Sequence, residues 1–194
     1  MNKRPAIFLD RDGVIIEEVN YLSHPDQVKL IPGSAKAIQT LNTLGIPVIV
    51  VSNQAGVAKG YFPITQIPLV HVRLIELLAQ ENAHADAIYY CPHHSEGTIP
   101  EYSFKCQCRK PEPGMLLEAK EKLNLNLTQS WLIGDNITDV EAAAKVGCNS
   151  ILVQTGHGKQ FTACTLPIGT VRKADLLEAV NFILLSPSSL GCCA

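Results

Sequence analysis

Two aspartates, Asp10 and Asp12, stand one residue apart where an apolar run ends, in the string "AIFLDRDG". In an extended chain residues i and i+2 point the same way, so both carboxylates can address one ligand. Close carboxylates cannot both ionise freely, and one pKa must rise. That suits a division of labour in which one acid attacks as a nucleophile and the other carries a proton. A third acid, Asp135, closes another apolar run, "SWLIGD". Two unit charges about 4 Å apart repel by about 4 kcal/mol at an effective dielectric of 20, so three acids beside a phosphate require a cation. Mg²⁺, a hard ion that takes carboxylates together with substrate phosphate, fits them. Ser52, at the end of "PVIVVS", can donate a hydrogen bond to a transferring phosphoryl group. Lys110, just ahead of a helix start, can neutralise its charge. Each signal alone has an ordinary reading. Acids are common in turns, and Asp139 in "GDNITD" could merely enrich a helix's first turn. Their conjunction at successive strand ends points to phosphoryl chemistry.

A second constellation lies in "CPHHSEGTIPEYSFKCQC". Cys91 and His93 form one close pair, Cys106 and Cys108 another. Three thiolates and one imidazole make a closed, tetrahedral zinc site with no open position, so Zn²⁺ there is structural. His94 is an alternative to His93, and small apolar filling is the alternative role for the cysteines. Zinc binding of this kind is worth roughly 10–16 kcal/mol in small peptides. That rivals the roughly 5–15 kcal/mol stability of a typical domain, enough to fix a loop too polar to fold alone.

These residues need rigid elements behind them. Near-continuous apolar runs at 6–10, 47–52, 86–90, 130–135 and 150–154 read as strands of a parallel sheet covered on both faces. Helical patterns fall between them. Ala35, Ile38, Leu41 and Leu44 form one stripe that stops at Gly45. Thr138 and Glu141 have capping-box spacing, and that helix stops at Gly147. Segments 114–123 and 174–185 also read as helices, as does the later part of 63–82, where Pro68 rules out a helix through the whole stretch. Alternating strands and helices predict an α/β, Rossmann-like, doubly wound parallel sheet, in which ligands bind beyond the carboxyl ends of the strands. Segments 13–32 and 91–113 fit neither pattern and read as functional loops.

The 194 residues are 46% hydrophobic and 18% charged, which suits one domain over 1–186 with a flexible tail at 187–194. A net charge of −2 gives no footprint for nucleic acid or an anionic membrane. No apolar run approaches the roughly 20 residues that span a bilayer. The seven cysteines, Cys91, Cys106, Cys108, Cys148, Cys164, Cys192 and Cys193, are odd in number and follow no export signal, which argues against a disulfide framework and for the cytoplasm.

In order, "DRDG", Ser52, Lys110 and "GDNITD" resemble the four motifs of the haloacid dehalogenase superfamily across nearly the whole chain. The resemblance implies that Asp10 forms an aspartyl-phosphate and that Asp12 is the general acid and base. It implies that Ser52 and Lys110 stabilise the phosphoryl group, and that Mg²⁺ is held by Asp10, Asp135 and the backbone carbonyl of Asp12. "SNQAGVAKG", "YYCPHH" and "CQCRKPEPGM" narrow it to the phosphatases of heptose bisphosphates, which supply heptose for cell-surface polysaccharide, and of histidinol phosphate. The long span from His93 to Cys106 favours the former. The resemblance assigns substrate contacts to Arg11, Glu18, Val19, Asn20, Tyr21, Asn53, Gln54, Ala55, Arg109 and Asn136. Heptose enzymes often carry Lys where this chain has Asn136. No segment between the motifs is long enough for a separate cap domain, and the chain reads as a monomer acting on a small phosphorylated sugar. A catalytically silent, zinc-stabilised binding module is the reading from another class.

Overall fold

The computed structural model describes residues 3–161, 166–167 and 170–186; the expected tail at 187–194, with Cys192 and Cys193, and Cys164 lie outside these. Six parallel strands form one sheet in the order β3-β2-β1-β4-β5-β6. They are β1 (Ile7–Leu9), β2 (Val48–Asn53), β3 (Ala87–Cys91), β4 (Trp131–Gly134), β5 (Asn149–Val153) and β6 (Val171–Lys173). The helices are α1 (Ser34–Thr43), α2 (Gln66–Gln80), α3 (Gly114–Leu123), α4 (Ile137–Lys145) and α5 (Leu176–Leu185). Among the described residues no second sheet is inserted between the strands, and no helix is long and apolar enough to cross a membrane.

The first strand is central. Phe8 stands opposite Ile49 of β2 on one side and Leu132 of β4 on the other. Because side chains alternate along a strand, Ile7 and Leu9 enter one apolar layer with Ile38, Val50, Leu74, Ile133 and Ile183. Phe8 enters the opposite layer with Ile49, Val51, Met115, Leu116 and Leu132. Helices α1, α2 and α5 thus cover one face, and α3 and α4 the other. Each fully buried Ile, Leu or Phe contributes about 1.5–3 kcal/mol.

Five strands lie where the apolar runs put them, to within a residue or two. The sixth, Val171–Lys173, carries no such run; it is a half-buried edge strand of three residues paired to β5. The opposite edge, β3, is only partly buried until Cys91. Leu44 does not join the α1 stripe: it is exposed, because the helix ends there and Gly45 turns the chain at φ +68°. Pro68 falls in the first turn of α2, where a missing N–H costs nothing, so that helix runs unbroken from Gln66. The cap of α4 is Asn136, not Thr138. Its side chain accepts from Thr138 N, while Asp139 accepts from Asn136 N to complete the box. Segment 13–32 is anchored rather than loose: Val14, Ile15 and Ile16 are fully buried, and Ile16 bridges to both Asp12 and Leu30.

Candidate active site

Asp10 leaves the end of β1 with its N–H on Ile133 O at 2.9 Å, so the sheet fixes its backbone. Its Oδ1 accepts from Arg11 N at 2.7 Å and lies 3.1 Å from Lys110 Nζ. That ammonium is buried, lies 2.6 Å from Asp139 Oδ1 and donates to Val51 O at 2.7 Å. Burial alone would push the Lys110 pKa down; Asp10 and Asp139 outweigh it and lift the value to about 12. Burial holds Asp10 well above the usual carboxylate range. Lys110 opposes that rise, while Asp139, Asp135 and Asp12 add to it. Asp135, just beyond β4, is pushed up to about 6, chiefly by burial and against the hydrogen bond from His157 N at 2.7 Å.

One carboxylate oxygen from each of Asp10, Asp135 and Asp139 can come within 4.8 Å of the others. Three hard oxygen donors facing one lysine leave an excess of negative charge that a divalent cation fits. Asp139 therefore belongs to the site, in addition to its capping role. The Asp12 carboxylate is not in that group. It turns to Arg11, to Gln54 Nε2 at 2.9 Å and to Ser52 Oγ at 3.4 Å.

The acids open into a cavity of about 380 Å³. Of the residues expected to touch substrate, Glu18, Asn20, Tyr21, Asn53, Gln54, Ala55, Arg109 and Asn136 line it, with Asp10, Asp12, Lys110 and Asp135. Arg11, Val19 and Ser52 do not. Arg11 is buried against Asp12, Val19 packs against the core, and Ser52 is fully buried, accepting from Gln54 Nε2 at 2.8 Å. Asn20 and Tyr21 sit at φ +49° and +62°, a left-handed conformation that bulky residues rarely adopt. Glu18 accepts from Asn20 N at 2.7 Å across that bend. Tyr21 Oη then meets Lys59 Nζ at 2.6 Å, joining the first loop to the segment after β2.

The second constellation also converges. Sγ of Cys108 lies 3.1 Å from that of Cys91 and 3.4 Å from that of Cys106, and Cys91 and Cys106 are 3.4 Å apart. His93 Nδ1 is 3.5 Å from Cys91 and 3.3 Å from Cys108. Four soft or borderline donors, all within 4.8 Å of one another, fit a tetrahedral metal ion. His94 instead lines the cavity, and its Nδ1 accepts from Glu96 N. The cluster is tied to the acids: Arg109 donates to His93 O at 3.2 Å, and the Asn53 amide makes a two-point pair with the Lys110 backbone at 2.9 and 3.0 Å.

A family model described as HAD-hydrolase-like matches residues 107–174. The D-glycero-beta-D-manno-heptose-1,7-bisphosphate 7-phosphatase of Pseudomonas aeruginosa is 38% identical over 182 residues, 93% of this chain and 98% of its own. The chain belongs to the heptose bisphosphate phosphatase family, within the haloacid dehalogenase superfamily. A second member of the family, from Photorhabdus laumondii, is 41% identical over 92% of this chain and 96% of its own. The crystal structure of D,D-heptose 1,7-bisphosphate phosphatase from B. bronchiseptica, complexed with magnesium and phosphate, superposes with a TM-score of 0.83 at 35% identity. It covers 93% of this chain and 98% of that one.

Phe62 and His157 line the cavity without belonging to any of the motifs. His157 follows the end of β5 by four residues, which the strand-end rule could have flagged. Lys59, His94 and Thr138 lie within the strings "SNQAGVAKG", "YYCPHH" and "GDNITD", which gave them no place in the cavity wall. Asn136 lines the cavity while its Oδ1 is committed to capping α4.

Proposed function

We propose that this chain is a Mg²⁺-dependent phosphatase that removes the 7-phosphate of D-glycero-D-manno-heptose 1,7-bisphosphate. The observation that carries the reading is the Asp10 carboxylate, only 14% exposed, held at the end of the central strand by Lys110 with Asp12 two residues on. In this scheme an Asp10 oxygen attacks phosphorus, and the bond from phosphorus to the sugar oxygen breaks. Asp12 gives its proton to that leaving oxygen. Asp12 then takes a proton from water as water attacks the aspartyl-phosphate, which frees inorganic phosphate and restores Asp10. Lys110 balances charge on the phosphoryl oxygens, and Ser52 acts through its contact with Asp12. Asp10, Asp135 and Asp139, with the Asp12 carbonyl, would hold Mg²⁺, which when bound neutralises charge on the transferring phosphoryl group. Cys91, His93, Cys106 and Cys108 would hold Zn²⁺ as a structural ion.

Lys59 and Arg109 in the cavity wall support a substrate with a second anionic group rather than the cationic amine of histidinol phosphate. The reading extends to a cytoplasmic monomer with one catalytic domain over 1–186, working without nucleic acid or membrane. The site is built within one chain, and the net charge of −2 suits small-molecule work. Phosphate release with Mg²⁺ present should be compared on heptose 1,7-bisphosphate and histidinol phosphate. Release of heptose 1-phosphate at the higher kcat/KM is expected; a clear preference for histidinol phosphate would sink the substrate assignment. Asp10→Asn should abolish turnover, and intact phosphatase activity in that variant would overturn the proposed mechanism; no turnover by wild type on any phosphate ester would leave only the silent binding module.

A further inference from the structure

Arg11 lies between the two acids yet is one of the most buried side chains in the protein, at 1% exposure. A guanidinium taken out of water needs a partner, and among the described residues its side chain has one, Asp12. Arg11 Nε donates to Asp12 Oδ2 at 3.1 Å and Nη2 to Asp12 Oδ1 at 3.0 Å, a two-point fork. Its backbone N–H meanwhile donates to Asp10 Oδ1. One residue thus orients both acids, the nucleophile through its main chain and the proton carrier through its side chain. The second holder is Gln54, 5% exposed, whose amide nitrogen donates to Asp12 Oδ2 at 2.9 Å and to Ser52 Oγ.

The two oxygens of Asp12 are unequally occupied. Oδ2 faces Arg11 Nε, Gln54 Nε2 and Ser52 Oγ, with Arg11 Nη2 also at 2.8 Å; Oδ1 meets only Arg11 Nη2, at 3.0 Å. A proton on Oδ2 would point into the donors of three residues, so Oδ1 is the oxygen free to exchange one. Behind the fork, His71 on α2 is mostly buried and kept neutral, by burial first and then by Arg11, so it adds no second positive charge beside the guanidinium.

We propose that Arg11 is a positioning residue: with Gln54 it locks the Asp12 carboxylate so that Oδ1 serves the leaving-group oxygen, and it does not touch substrate. The inference rests on the phosphatase reading above, in which Asp12 protonates that oxygen. Proton donation matters for a sugar alkoxide and much less for nitrophenolate, a good leaving group. The test is kcat/KM of wild type, Arg11→Met and Arg11→Lys on heptose 1,7-bisphosphate and on p-nitrophenyl phosphate. Both variants should lose about 100-fold on the sugar phosphate, the lower range of general-acid contributions, and under about 10-fold on the aryl phosphate, with little change in KM. Arg11→Lys keeps the buried charge but not the fork, so it carries the comparison should Arg11→Met fail to fold. In an Asp12→Asn background the Arg11 substitutions should add no further loss. Equal losses on both substrates, a raised KM at unchanged kcat, or additive losses with Asp12→Asn would overturn the proposal. Should wild type not hydrolyse the heptose, the substrate reading alone fails, and the same ratio is read with histidinol phosphate as the alkyl substrate.

Discussion

At Lys110 a single ammonium balances more negative charge than it carries. It touches Asp10 and Asp139, while Asp135 lies within reach of both acids. Removing one partner from a buried ion network strands the others, which typically costs about 3–5 kcal/mol. Lys110→Met should therefore lower stability by about that much in urea unfolding at pH 7, and a change under about 1 kcal/mol would contradict the geometry. The acids themselves set a pH dependence. Asp135 is held near 6 and Asp10 also lies above its ordinary value, so the folded protein binds their protons more tightly than the unfolded chain. Their contribution is greatest below an ordinary carboxylate pKa of about 4 and is lost as pH rises through about 6. Protein dialysed free of Mg²⁺ should accordingly lose melting temperature across that window. Added Mg²⁺ should restore more at pH 7 than at pH 5, and a profile unmoved by the ion would argue against a cation among these carboxylates.

At the scale of elements, the site depends on two close approaches. Gly134 ends β4 against the Asp139 carboxylate, and a Cβ there would collide with it. Gly134→Ala must push the first turn of α4 aside. A cost of about 1–3 kcal/mol is expected, together with lost activity as Asp139 moves off Lys110; wild-type melting and turnover would show that the turn can yield. The segment after β3 depends on its four metal donors. Cys108→Ser should abolish tightly held zinc in metal analysis and speed proteolysis between residues 92 and 109. It should lower activity too, because Arg109 and Lys110 follow the last donor directly. Unimpaired activity in a zinc-free variant would separate the two sites. The elements were legible where they are long and apolar: five strand ends and the acids on them follow from the apolar runs. Val171–Lys173 was not, since three half-buried residues cannot establish a period. Asp139 was ambiguous for another reason: a capping acid and a buried ion-pair partner occupy the same place in a sequence, and here one residue is both.

For the whole molecule, residue type was easier to read than side-chain direction. Arg11, Asn53 and Gln54 all belong to motifs beside the phosphate site, yet their polar groups turn to Asp12, to the Lys110 backbone and to Ser52. Only the crossing of the chain through a central strand decides which way such groups face. That topology also has a consequence for how the protein is made. The strand that carries the nucleophile is synthesised before the other five strands of the sheet, and its pairing with β2 is available before that with β4. Its other flank waits for β4: Ala6 N–H meets Ser130 Oγ across 124 residues of chain. At about 5–20 residues per second, a ribosome leaves that flank bare for roughly 6–25 s. During that interval Asp10 has no neighbour on one side, so the residue on which turnover would depend is translated well before the strand that encloses it.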